Sequence, residues 1–324
     1  MPVFFGIFWL EIRSGEGLRF STAITSLGTF ASWSFVKSVL IIVLNWNGWR
    51  DTVKCLTSLE RLTYRNFRVF VVDNDSTDDS VSQIRHAFPN VAIIEAEKNL
   101  GFAAGCNLGI RQALQEDAEY VWLLNNDTTV DPGALGAMVE MAEADPKVGA
   151  VGSAIYSTIQ ADQLLAWGGG YINFWLGRSR HFLNSVPNNE IEFLTGASLL
   201  LRRCALDSVG LLDEGFFMYW EDGDYCFRLR EAGWTLAVAG DSLVWHKEQG
   251  TVGKKSTLLD TYFNRSATRF FARHAPIPFI SIWVGVGLRI AKRIFIGDWK
   301  RARVVWASVR NSVDENDICK LENN

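Results

Sequence analysis

From Ser38 onward, short continuous apolar runs alternate with stretches whose apolar residues recur every three or four positions. Residues 39–44 are unbroken and rich in β-branched side chains, the pattern of a strand buried on both faces. Asn45-Trp46-Asn47-Gly48 ends that run, and residues 51–62 then carry Val53, Leu56, Leu59 and Leu62 at helical spacing. Residues 67–72 predict a second strand, closed by Asp73-Asn74-Asp75-Ser76. A helix starting at Ser76-Thr77-Asp78-Asp79 places Val81, Ile84 and Phe88 on one face. Residues 91–94 predict a third strand, 105–118 a third helix and 120–124 a fourth strand. This alternation predicts an α/β fold, a mainly parallel central sheet with flanking crossover helices.

Ligands of such sheets lie beyond the carboxyl ends of the strands. Polar residues recur at those ends: Asn45 and Asn47, Asp73 to Asp75, Asn99, then Asn126 and Asp127. A single strand-end Asn or Asp is commonly a turn former. Four such ends in succession on one rim favour a ligand site. The small residues from Gly101 through Gly105 to Gly109 also open a helix, where backbone N–H groups and the helix dipole attract an anion. Close helix packing explains the same glycines, and their spacing matches neither the dinucleotide fingerprint nor a P-loop. Residues 250–256 mimic the end of a P-loop but lack its four-residue gap and open no sheet.

A net charge of −4 gives no global reason to expect nucleic acid. The five cysteines have no paired metal-ligand spacing, which suits free thiols in a reducing compartment. Thirteen tryptophans fit a sugar-handling cleft, a membrane interface or a large core. Residues 1–35 read as a loosely attached or surface-lying extension. Their apolar run at 4–10 is too short to span a bilayer and lacks the flanks of a signal peptide.

The densest chemistry lies at Trp220-Glu221-Asp222-Gly223-Asp224, with three carboxylates in four residues beside aromatic side chains. Two readings fit. One is a solvated turn with acids at the positive end of a helix. The other is a functional cluster in which repulsion raises the pKa of one member or calls for a cation.

Taken together, Asn45-Trp46-Asn47-Gly48, residues 71–78, Asn99 through Asn107, residues 123–127, Thr195-Gly196-Ala197, residues 210–217 and Trp220 through Trp234 resemble the family 2 glycosyltransferases, most closely the rhamnosyltransferase-like branch. The resemblance covers roughly residues 38–275. It implies a GT-A fold, a nucleotide-diphospho-sugar donor, a divalent cation (Mg2+ or Mn2+) and inversion at the anomeric carbon. A cation stabilises the diphosphate leaving group, and Asp127 is placed to hold it. The family usually shows two acids separated by one residue there, whereas this chain has Asn125-Asn126-Asp127. His246 could add a ligand, or be an ordinary structural histidine. Asp73 and Asn74 would face the base and ribose. The remaining donor contacts expected on the rim are Asn45, Asn47, Asn99, Gly101, Asn107 and Asn126. The acceptor hydroxyl needs a general base, and Glu221 or Asp222 is the candidate, Asp222 preferred with Asp224 and Arg228 in support.

This organisation is an extension (1–35), a catalytic domain (36–275) and a tail (276–324). The tail interleaves Arg289, Lys292, Arg293, Lys300, Arg301 and Arg303 with apolar and aromatic residues. That pattern suits an anionic membrane surface or a helix packed on the domain. Its twelve-residue apolar run is short of a span. The expected setting is the cytoplasmic face of the cell membrane, with rhamnose or a similar hexose passed to a glycan or lipid-linked acceptor in cell-surface polysaccharide synthesis. The rival classes are a sugar-nucleotidyltransferase, which would want a glycine-rich basic loop after the first strand, and an inactive sugar-nucleotide-binding protein, which would be expected to lack Asp127 or Asp222.

Overall fold

A computed structural model describes residues 36–247 and 257–321. The extension at 1–35, the segment 250–256 and the side chain of Cys319 lie outside the described residues. In chain order the elements are β1 (Val39–Asn45), α1 (Trp49–Leu59), β2 (Phe67–Asp73), α2 (Ser80–Ala87), β3 (Ala92–Glu95), α3 (Gly101–Gln115), β4 (Tyr120–Asn125), β5 (Thr128–Val130), α4 (Ala134–Ala144), β6 (Val148–Ser157), β7 (Leu164–Trp167), β8 (Gly169–Asn173), β9 (Arg178–His181), β10 (Phe193–Leu194), β11 (Ser198–Arg202), α5 (Arg203–Val209), α6 (Glu221–Glu231), β12 (Thr235–His246), α7 (Thr257–His274), α8 (Pro278–Phe295) and α9 (Trp299–Leu321).

The strands β3-β2-β1-β4 run parallel, as the continuous apolar runs require. Their in-register pairing sets Asn45 opposite Asp73, and Asp73 opposite Glu95. The rest of the sheet is mixed rather than mainly parallel. β11 runs antiparallel between β4 and β6, β12 returns parallel to β6, and β5 lies antiparallel on β12. A small antiparallel sheet, β10-β8-β9, stands beside it. Two apolar layers cover the large sheet: Ile41, Val43, Leu56, Leu59 and Trp122 on one face, and Leu40, Ile42, Val72, Leu123 and Tyr225 on the other. Trp122 is fully buried with its Nε1–H donated to Ser198 Oγ at 2.9 Å, so the indole loses no hydrogen bond on burial. Among the described cysteines, all free, Cys55, Cys106 and Cys226 are buried and Cys204 is exposed.

The tail departs from a purely basic surface segment. Pro278 opens α8 at its first turn, where a missing N–H costs nothing. Arg293 and Arg301 both turn inward to the buried Asp260 of α7, and Arg289 donates to Asn264 Oδ1 at 2.7 Å and Gly177 O at 3.0 Å. Half of the cations expected to face a membrane therefore hold α8 and α9 onto α7. Lys292, Lys300 and Arg303 stay exposed, and so do apolar side chains at the α8–α9 turn, with Phe295 91% and Trp299 60% exposed. Among the described residues, no helix is long and apolar enough to cross a membrane.

Candidate active site

The rim formed by the ends of β1, β2 and β4 is a hydrogen-bonded network. Asn45 Nδ2 donates to Asp73 Oδ1 at 2.7 Å, and Thr52 Oγ1 donates to Asn45 Oδ1 at 2.7 Å. Asp73 also accepts from the Ser76 hydroxyl (2.7 Å) and amide (2.9 Å). Asn74 donates to Asn99 Oδ1 and Gly101 O and accepts from Leu100 N, joining the end of β2 to the start of α3. Asn47, at φ 50°, accepts from the amides of Thr77 and Asp78.

Several of the residues expected at the donor are engaged in hydrogen bonds within the protein. Asn45 and Asn74 are buried with their amides committed inside the protein, so they shape the rim from behind. Asn107 is fully buried, donates to Leu212 O (2.9 Å) and Glu214 Oε1 (3.0 Å), and accepts from Leu212 N, which makes it a strap from α3 to the 212–214 loop. Gly101 sits at φ +81°, and a Cβ there would lie 2.3 Å from Phe217 O. The close approach of Phe217 accounts for a glycine at this position. The rim side chains that keep access to solvent are Asn47, Asp75, Asn99, Asn126 and Asp127.

The second cluster arises from strand pairing. β5 and β12 place His246 opposite Thr128, which brings His246 Nε2 to 3.0 Å from Asp127 Oδ1 and 3.3 Å from the Asn125 amide. One carboxylate and one imidazole already in contact fit a divalent cation that takes its other ligands from substrate phosphates. Among the described residues no set of three or more His, Cys, Asp or Glu side chains forms a complete cage.

The third cluster sits at the N-terminus of α6. Tyr219 and Trp220 both adopt φ 69°, a left-handed conformation costly for bulky residues and concentrated at functional sites. They stand directly before α6, whose first two residues are a buried Glu221 and a half-buried Asp222. Asp222 Oδ2 accepts from Gly196 N at 2.9 Å and Oδ1 from Gly223 N at 2.7 Å. The next residue, Ala197, accepts through its carbonyl from Asn125 N at 3.0 Å. Consecutive residues thus bind the end of β4 and Asp222, setting the acid beside the Asp127 rim.

Burial raises the Asp222 pKa, against the lowering effect of the two backbone N–H groups and of His181. Burial, then the Asp222 charge, pushes Glu221 well above the carboxylate range, and its Oε2 is buried with no hydrogen-bond partner. Burial thus favours the neutral form of Glu221 more strongly, while two backbone N–H donors favour the charged form of Asp222. Asp224 is elsewhere in function: fully buried, it binds Arg228 (2.8 Å), Arg273 (3.2 Å) and His274 (2.8 Å) and ties α6 to α7. It braces α6 against α7.

His181 is absent from the sequence-based site. It ends β9, packs on Phe193 at 5.4 Å, and lies close enough for Asp222 to favour its charged form, although burial lowers its pKa overall. A lone histidine in Arg178-Ser179-Arg180-His181 carries no motif, so only the antiparallel pairing of His181 with Gly170 reveals it.

The model for glycosyl transferase family 2 matches residues 38–210. An N-acetylglucosaminyl-diphospho-decaprenol L-rhamnosyltransferase of Mycobacterium tuberculosis is 29% identical over 222 residues, 61% of this chain and 72% of that protein. A mannosyltransferase of Pyrobaculum calidifontis, solved with GDP-Man and Mn2+, superposes with a TM-score of 0.55 over 87% of this chain and 76% of its own at 18% identity. GalNAc-T7, solved with UDP, GalNAc and Mn2+, gives 0.60 over 75% of this chain and 52% of its own at 14% identity. The likeness to the solved structures is one of fold.

Proposed function

Because the chain belongs to glycosyl transferase family 2 and is a glycosyltransferase of GT-A fold, we propose that it is an inverting hexosyltransferase. It moves rhamnose or a similar hexose from a nucleotide-diphospho-sugar to a glycan or lipid-linked acceptor in cell-surface polysaccharide synthesis. The observation that carries this reading is the Gly196-Ala197 bridge, which sets Asp222 next to the end of β4.

The donor lies along the rim with Asn47, Asp75, Asn99 and Asn126 within reach. Asp127 and His246 would hold a divalent cation, Mg2+ or Mn2+, which when bound would supply positive charge to stabilise the departing diphosphate. Asp222 accepts the acceptor hydroxyl proton as that oxygen bonds to the anomeric carbon. The bond from that carbon to the phosphate oxygen breaks, and the nucleoside diphosphate leaves from the opposite face. Glu221, whose neutral form burial favours, adds no second charge beside the base. The name of the mycobacterial relative puts its own acceptor on a diphospho-decaprenol lipid, which supports a lipid-linked acceptor here. The exposed aromatic turn between α8 and α9 supports peripheral docking on the inner face of the membrane.

The test is a screen of nucleotide-diphospho-sugars by calorimetry with and without Mn2+ or Mg2+. One nucleotide sugar should bind with metal and far more weakly without it. Binding of none, in either condition, would refute the donor assignment.

A further inference from the structure

An apolar cleft of about 330 Å3 lies between the β8–β9 turn and the start of α8. Tyr171, Phe174 and Trp175 form one wall, Ile277 and Ile280 the other. It belongs to no part of the donor or base machinery. Its floor is fixed: Gly177 packs against Ser281 and Gly285 so closely that a Cβ would fall 1.9 Å from Ser281 O, and Phe174 meets Phe227 and Phe271 edge to face at 6.0 Å. Its mouth is open, with Trp175 67% exposed.

β8 connects this cleft to the active site. Gly170 at one end pairs with His181, the neighbour of Asp222, and Asn173 with Phe174 forms the other end. Gly170 and Phe174 are four residue steps apart, about 13 Å at 3.3 Å per residue. On the adjoining strand Arg178 and Arg180 occupy register positions between the two ends, and neither has an ion-pair partner among the described residues. On the other side the cleft continues onto α8, where Ile280, Val284, Leu288 and Phe295 share one helix face and the last three are exposed. That stripe is about 22 Å long at 1.5 Å per residue.

Arg178 and Arg180 share a face of the small sheet with the cleft residues Tyr171 and Asn173, and the exposed apolar stripe runs on from the cleft, a pairing of cations and apolar surface that suits a lipid-linked sugar diphosphate. We propose that the cleft binds the first part of the hydrocarbon chain of a lipid-diphosphate-linked acceptor, while the sugar reaches Asp222. The proposal rests on the lipid-linked acceptor reading above.

The experiment has two arms. In the first, binding of farnesyl phosphate, below its aggregation limit, is measured by calorimetry on wild type and Ile280→Glu. Wild type should bind it, and the variant should lose at least about tenfold in affinity, the factor carried by roughly two buried methylene groups. In the second arm, two acceptors share one sugar diphosphate headgroup and carry either a methyl ester or a prenyl chain. Ile280→Glu and Trp175→Ala should raise KM for the prenyl acceptor about tenfold and leave kcat/KM for the methyl acceptor unchanged. Unaltered melting of Ile280→Glu separates this loss from misfolding. Failure of wild type to bind farnesyl phosphate, or equal losses on both acceptors, overturns the cleft assignment. Binding of farnesyl phosphate that Ile280→Glu abolishes, with no transfer to either acceptor, upholds the cleft and removes the acceptor reading instead.

Discussion

Replacing Asp260 with alanine should loosen the α8–α9 hairpin. Asp260 is 5% exposed and its carboxylate accepts from two guanidinium groups, Arg293 of α8 and Arg301 of α9. Removing one partner of a buried ion pair costs about 3–5 kcal/mol, because the other charges stay behind without a counterion. The two guanidiniums here retain some contact with water, at 14% and 17% side-chain exposure, so the low end, about 3 kcal/mol, applies. At the smaller end of the usual conversion, about 2 °C per kcal/mol, Asp260→Ala should melt about 6 °C below wild type at pH 7 by calorimetry. The pH dependence has a definite sign. Although burial opposes it, the hydrogen bonds and charges of Arg301 and Arg293 lower the Asp260 pKa. A depressed carboxylate pKa contributes stability above its unfolded value, near 4, and loses it as pH falls through the folded value. The gap between wild type and variant should therefore hold above about pH 5 and close at lower pH. Equal melting temperatures at pH 7, or a gap that widens in acid, would refute the claim that these basic residues clamp the hairpin.

Three further outcomes follow. Phe295→Asp combined with Trp299→Asp changes only exposed apolar side chains. It should cut co-sedimentation with anionic vesicles at least about tenfold without shifting the melting temperature, since each inserted aromatic contributes roughly 1.5–3 kcal/mol; unchanged sedimentation would count against membrane docking. Asp127→Ala should abolish the metal-dependent part of donor binding while the protein stays folded, and calorimetry giving the same donor affinity with and without metal would remove Asp127 from the cation site. His181→Gln removes a group whose charged form lowers the Asp222 pKa, so the acidic limb of kcat/KM should move to higher pH; an unmoved or lowered limb would show that His181 does not act on the base.

The parallel half of the sheet is legible because it is local. Each of β1, β2, β3 and β4 is an apolar run ended by polar residues, and pattern alone locates them within a residue or two. The strand-end carboxylates follow from the same pattern. What pattern does not contain is pairing at long range. The insertion of β11 antiparallel beside β4 is what carries Gly196 and Ala197 to the rim, and nothing in Thr195-Gly196-Ala197 announces it. The contact of His246 with Asp127 likewise depends on β12 meeting β5 across more than one hundred residues. Sequence also conceals direction. Asn45, Asn74 and Asn107 have the right residue type on the right elements, yet their side chains point into the protein. In the tail, alternating basic and apolar positions fit two surroundings equally, and only Asp260, Asn264 and Gly177 reveal which arginines turn inward.

The central claim is that Asp222 takes the acceptor proton, and Asp222→Asn tests it most directly. The amide keeps the shape and removes the basicity. Turnover should fall about a hundredfold to ten-thousandfold, the usual effect of losing a general base, while calorimetric donor affinity stays within about twofold, and Glu221→Gln should lose less because burial favours the neutral form of Glu221. Near-normal turnover by Asp222→Asn, measured alongside unchanged donor binding, would contradict the account.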